Sequence, residues 1–154
     1  MAAYYLDTSA LVKVFARESG TAWATALVDP AAGYTLYNVR LTGPETVAAL
    51  GRKVRTGELT QAEATSAMRA FRRAWHRRYR VVAATVIVAE RAMDLAEQHG
   101  LRGYDAVHLA AALAVSDLRL RHRLPVATFV TADTVQRQAA VAEGLSVDDP
   151  NAHS

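Results

Sequence analysis

Five short runs of apolar, aromatic and β-branched residues recur along the chain, at 3–6, 33–39, 81–85, 126–130 and 145–147. Between them lie stretches whose apolar residues fall at helical spacing. Strands separated by helices pair in parallel, because a parallel neighbour can be reached only through a long crossover. The pattern therefore predicts an α/β chain with a parallel sheet covered on both faces. Helices are expected at 9–16, 21–28, from Thr42 to about Arg55, from Thr60 to about 80, at 86–98, from Asp105 to about Leu118 and at 133–143. Two boundaries carry clear chemistry. Thr60 with Glu63 has the form of a capping box, and Gly144 stands where a left-handed helix end is expected.

The 154 residues suit one domain, expected over 1–150 with a short tail at 151–154, and 51% hydrophobic residues are enough for a core without staples. Cysteine is absent, which excludes disulfides and thiolate-held zinc. No run approaches the ~18–20 apolar residues that cross a bilayer, and Asp7 interrupts the first apolar stretch before a signal core could form. A cytoplasmic protein with no membrane role is expected. The net charge of +3 is modest, but arginines are concentrated: Arg69, Arg72, Arg73, Arg77, Arg78 and Arg80 in one stretch, with smaller groups at 52–55 and 119–123. Such clustering points to nucleic acid or to a solvated helix face. On the 60–80 helix the buried stripe is read as Met68, Phe71, Trp75 and Tyr79, which leaves Arg73 and Arg77 outward as candidate RNA contacts.

Four acids, Asp7, Glu45, Asp105 and Asp133, stand at the start of expected helices. Any single aspartate there is explained by capping. Glutamate is a poor cap, however, and Thr42 is available to cap the helix that carries Glu45. Asp7 and Asp133 follow strands, which places them at the carboxyl edge of the sheet where ligands bind in such folds. Carboxylates gathered there repel one another unless a cation is present, and an oxygen-only set suits Mg²⁺ or Mn²⁺. Divalent ions of this kind support phosphodiester hydrolysis without a nucleophilic side chain. Competing signatures are missing: no phosphate-binding glycine loop, no nucleophile elbow, and no second aspartate two residues after Asp7. His108 is read as a packed, hydrogen-bonded core histidine, and His76 and His122 as solvent-facing.

With the acids placed, Y-L-D-T-S-A-L-V-K at 5–13, P-E-T-V-A-A-L at 44–50, Y-D-A-V-H-L-A-A-A-L at 104–113 and F-V-T-A-D at 129–133 together resemble PIN-domain ribonucleases, specifically the VapC toxins of bacterial toxin–antitoxin pairs. The resemblance implies a PIN-like three-layer sandwich and Mg²⁺- or Mn²⁺-dependent endoribonuclease activity. It also implies an RNA substrate, a cognate antitoxin and a homodimer. By position, Asp7, Glu45, Asp105 and Asp133 would be the catalytic, metal-holding acids, supported by Thr8, Ser9 and Thr131. The sequence departs from the family pattern at Gly43-Pro44, ahead of Glu45. A catalytically silent PIN-like domain that binds RNA or protein through its arginines is the alternative, and a small metal-dependent phosphatase a more distant one.

Overall fold

The computed structural model describes residues 1–153. Five strands, β1 (Ala3–Leu6), β2 (Thr35–Val39), β3 (Arg80–Val82), β4 (Thr128–Val130) and β5 (Val147–Asp148), form one parallel sheet in the order β3-β2-β1-β4-β5. Seven helices connect them: α1 (Thr8–Phe15), α2 (Thr21–Val28), α3 (Thr42–Arg55), α4 (Gln61–Arg77), α5 (Val86–His99), α6 (Gly103–Arg121) and α7 (Thr134–Ala142). The chain builds the sheet outward from β1 to β3, then returns to add β4 and β5 on the other side of β1. A crossover of fixed hand puts its helices on one face while the sheet grows one way and on the opposite face once the direction reverses.

The packing follows this rule. Leu6, Leu36 and Val130 point to the face covered by α1, α2 and α4, where Leu11, Leu27 and Phe71 are buried. Tyr5, Tyr37, Val39 and Phe129 point the other way, toward α5, α6 and α7, with Leu95, Leu109 and Ala140. Strand alternation thus divides one short run such as Tyr4-Tyr5-Leu6 between two cores. The result is the expected three-layer arrangement.

Some boundaries differ from expectation, each for a local reason. β3 occupies Arg80–Val82 and stops short of Thr85, because the Thr85 side chain accepts the Val88 N–H and caps α5. Leu145 does not begin the last strand. Its N–H closes onto Ala140 O, and Gly144 at φ +85° bonds back to Val141 O, so residues 144 and 145 finish α7. Helix α6 starts two residues earlier than expected, which puts Asp105 in its first turn and leaves Arg102 at the N-cap.

Thr42 does not cap α3. The helix begins at Thr42 itself, no side chain caps it, and the Thr42 hydroxyl is buried without a partner. Pro44 fits the first turn because its missing N–H would have no intrahelical acceptor there. A Cβ on Gly43 would lie 3.3 Å from Cζ2 of Trp75, so glycine lets α4 pack closely on the start of α3. Helix α4 ends at Arg77, short of the expected 80, because β3 begins at Arg80. Phe71 is buried and Met68 and Trp75 half-buried on it, Tyr79 is buried just beyond its end, and the capping box at Thr60 and Glu63 is formed. Arg78 separates from the other arginines of its cluster. Its guanidinium donates to Val28 O and Tyr34 O, which ties the end of α4 to the loop before β2.

Candidate active site

The return of the chain past β1 creates a switch point between β1 and β4, where the crossovers leave in opposite directions and a cleft opens at the carboxyl ends of the strands. Asp7 follows β1 directly, its N–H bound to Val130 O at 3.1 Å. Asp133 lies just beyond β4. The first turns of α3 and α6 deliver Glu45 and Asp105. All four acids line one cleft of about 370 Å³, together with Thr8, Ser9, His108, Arg52 and Arg102. Four helix N-termini converge there, and their partial positive charge favours the carboxylates.

Asp7 is 3% exposed. Its Oδ1 accepts Ala10 N–H at 3.0 Å and Ser9 Oγ at 2.7 Å, and its Oδ2 accepts the Thr131 hydroxyl at 2.6 Å. Asp7 is therefore both the N-cap of α1 and a wall of the cleft. Burial pushes its pKa up, and the His108 charge and these hydrogen bonds offset that only in part. Thr131, fully buried behind Asp7, also lies 3.0 Å from Gln136 Oε1. A hydroxyl has one proton to give, and the shorter contact assigns it to Asp7. Gln136 donates from Nε2 to Asp105 O at 3.1 Å, which joins α7 to the first turn of α6.

Glu45 Oε2 accepts the Thr8 hydroxyl at 2.6 Å and lies 2.6 Å from His108 Nε2. The other ring nitrogen, Nδ1, is 3.1 Å from the Tyr5 hydroxyl. Nε2 donates to the Glu45 carboxylate, and Nδ1 meets the Tyr5 hydroxyl. Burial raises the Glu45 pKa, but the His108 bond and charge and the Thr8 bond outweigh it and hold the carboxyl below its ordinary value. Tyr5 is pushed well above the usual phenol range by burial and by the charges of Asp7 and Glu45, so it stays a neutral hydroxyl. His108 is thus the packed core histidine expected, and in addition the residue that orients Glu45.

Asp133 caps α7 by accepting Gln136 N–H at 2.8 Å. Asp105 caps nothing. Its Oδ2 accepts Arg102 Nε at 3.2 Å, while the same guanidinium reaches to 3.7 Å of Asp133 Oδ2. Arg102 is 83% exposed, so a solvent-facing side chain holds this cationic bridge over two of the acids. Among the described residues, no group of three or more His, Asp or Glu side chains forms a ready metal-holding cluster. The donor chemistry nonetheless fits a hard divalent cation. The acids offer carboxylate oxygens at one cleft, and a guanidinium already stands where their charge needs a counter-ion.

Asp7, Glu45, Asp105, Asp133, Thr8 and Ser9 are therefore brought together, with Thr131 one layer behind them. Arg73 and Arg77 are exposed on α4 and do not line this cleft. Sequence reasoning missed Gln136 and Arg102. The only signal for Gln136 was its place three residues after a capping aspartate, and nothing local distinguished Arg102 from other surface arginines.

A family model described as PIN domain matches residues 4–142. The chain belongs to the PIN-domain family. Among curated proteins, ribonuclease VapC45 of Mycobacterium tuberculosis is 42% identical over 113 residues, which covers 73% of this chain and 76% of that protein. Ribonuclease VapC49 of the same species matches to the same extent. Among solved structures, a Pyrobaculum aerophilum protein superposes with a TM-score of 0.63 at 18% identity, covering 99% of this chain and 86% of its own. A toxin–antitoxin complex from Klebsiella pneumoniae gives 0.60 at 18% identity, with 96% and 97% covered. These structural likenesses speak for the PIN fold.

Proposed function

We propose that this PIN-domain chain is a toxin-type endoribonuclease that hydrolyses RNA phosphodiester bonds with Mg²⁺ or Mn²⁺ held by Asp7, Glu45, Asp105 and Asp133. The observation that carries the reading is the meeting of the four acids in one cleft at the sheet's switch point. Three arrive from strand–helix junctions and Asp105 from the turn between α5 and α6, and capping accounts for only two of them. Relatives at 42% identity that are named ribonucleases give the substrate class its support.

The chemistry such an ion supplies when bound is activation of water and neutralisation of phosphate charge. The protein's own residues do the positioning. Ser9 and Thr131 fix both oxygens of Asp7, and Thr8 and His108 fix one oxygen of Glu45, leaving its second oxygen free to face the cleft. Gln136 holds the backbone of Asp105 against α7. Arg102 and Arg52 at the rim offer positive charge to an incoming phosphate. A domain that bound RNA without cutting it would keep the arginine faces and have no use for four acids in one cleft.

Solved neighbours described as toxin–antitoxin complexes support a cognate antitoxin as the inhibitor, and the family resemblance implies a homodimer. A basic side chain from the antitoxin would replace the cation over the acids, as Arg102 does from within the chain. No helix among the described residues is long and apolar enough to cross a membrane, and an RNA substrate agrees with a cytoplasmic site of action. The test is cleavage of a labelled cellular RNA pool. Chelation should silence the wild-type chain, Mg²⁺ or Mn²⁺ should restore it, and Asp105→Asn should stay silent with metal added. Cleavage that persists in chelator overturns the reading.

A further inference from the structure

The first two turns of α3 have two sides. Glu45 and Ala49 face the acidic cleft, whereas Gly43, Pro44, Val47 and Ala48 face a second cleft of about 620 Å³ whose far wall is α4. The indole of Trp75, held against Gly43, forms part of that wall and continues into an adjoining cleft of about 310 Å³ beside Tyr79. Arg72 and His76 flank the indole on α4, and Arg40 closes the cleft from the end of β2. All three are exposed, and none makes an ion pair among the described residues. No carboxylate lines either cleft.

We propose that this cleft is a nucleotide subsite, in which a base of single-stranded RNA stacks on Trp75 while the adjoining phosphates meet Arg40, Arg72 and His76. The proposal rests on the ribonuclease reading and names where the substrate lies on one side of the cut. Three features select RNA as the occupant. A half-buried indole flanked by unpaired cations is how sequence-tolerant single-strand sites are built, the ring taking the base and the cations the backbone. The charge is opposite to that of the acidic cleft, so a polyanion is attracted to this side and needs a cation only on the other. And the two clefts share these two helical turns as their common wall, which makes this the adjacent stretch of any strand lying across Glu45. The residues concerned are not those expected from sequence. Arg73 and Arg77 point elsewhere on α4, and the preceding positions on the helix, Arg72 and His76, face the cleft.

The test uses the full chain carrying Asp7→Asn, so that the probe survives in Mg²⁺ buffer. The probe is a fluorescein-labelled single-stranded RNA of roughly 12 nucleotides, within the span such grooves hold. Anisotropy titrations over a salt series should show weaker binding on adding Arg40→Ala with Arg72→Ala, and a log–log salt slope flatter by about 0.7 for each phosphate that is no longer neutralised. Arg121→Ala, at the C-terminal end of α6 and lining neither cleft, should change neither. In a Trp23→Phe background, where Trp75 is the remaining tryptophan, RNA should quench its emission; this readout needs no substitution in the cleft. Unchanged affinity and slope in the double variant, with no quench, overturn the subsite. Cleavage by the wild-type chain is scored separately, so the ribonuclease reading can stand when the subsite falls. A double variant that keeps RNA and loses an antitoxin protein gives the cleft to that partner and overturns the RNA assignment.

Discussion

Asp7 and Glu18, near the two ends of α1, meet opposite surroundings. Glu18 is gripped by two ammonium groups, Lys13 at 3.2 Å and Lys53 at 3.0 Å. Lys53 continues to Glu58 at 2.8 Å, and Lys13, itself buried, also donates to Ser19 O at 2.9 Å. Every charge in that chain has a neighbour of opposite sign. Asp7 is more deeply buried, yet its oxygens receive only neutral donors, and burial raises its pKa. One corner of α1 is charge-complete and serves the fold. The other has no cationic partner within hydrogen-bond reach, and burial makes its charge costly.

Substitution at Asp7 separates the two corners most sharply. Asp7→Asn should remove RNA cleavage by more than the ~10–100-fold that residues supporting a metal site usually carry. Asn still caps α1. Because the folded carboxyl titrates above its ordinary value, the ionised form costs stability at neutral pH, so this variant should melt higher than wild type in metal-free buffer. Adding Mg²⁺ or Mn²⁺ should then raise the wild-type melting temperature and leave the variant's unmoved, with saturating metal worth about 2.7 kcal/mol at a hundredfold excess over Kd. A variant that still cleaves, or that melts lower than wild type, erases the contrast.

The mirror experiment is Glu18→Gln. Buried Lys13 keeps only a carbonyl, and the expected loss is ~1–3 kcal/mol of stability by denaturant unfolding, with specific cleavage activity unchanged. Arg102→Gln should have a smaller effect. The Arg102 pairs are solvent-exposed and worth ~0–1 kcal/mol, so removing them should tighten Mn²⁺ binding up to about 5-fold by calorimetry. Unchanged affinity would mean that Arg102 is not the internal counter-ion.

The smallest effect is expected in the pH profile. The Glu58 carboxyl is held below its ordinary value by its bond to Lys53 and by Thr56, so its contribution is present above that ordinary value and lost as pH falls through the lowered one. Lys53 is raised by its bond to Glu58, despite burial, and its share is lost only as pH rises through the raised value. Glu58→Gln should therefore flatten the acid limb of stability and leave the neutral plateau almost unchanged.

How much of this is legible in the sequence differs between the corners. Asp7 and Asp133 can be placed because each follows a short strand, and the edge of a parallel sheet is a known address. Glu45 and Asp105 come from matching motif spacing. Capping is easy to overestimate: Thr42 has the right side chain for a cap and is instead a buried hydroxyl inside α3. The contacts that orient the site are out of reach. His108 reads locally as one more buried residue on an apolar helix, and only the packing of α6 on β1 brings it to both Tyr5 and Glu45. Arg72 and His76 lie one position before the arginines that helical spacing favours, and only the close approach of Trp75 to Gly43 decides which of them faces a cleft.

The order of the strands has a consequence for biosynthesis. Tyr4 pairs with Thr128, so β1 is made long before its second neighbour in the sheet exists. Asp133 arrives later still, and Thr131, which fixes Asp7, arrives with it. Until β4 has been made, a growing polypeptide therefore carries three of the four acids, without Asp133 and without the Thr131 hydroxyl that fixes Asp7. Fragments ending before β4 should cleave no RNA, whereas chains that extend through α7 carry all four acids.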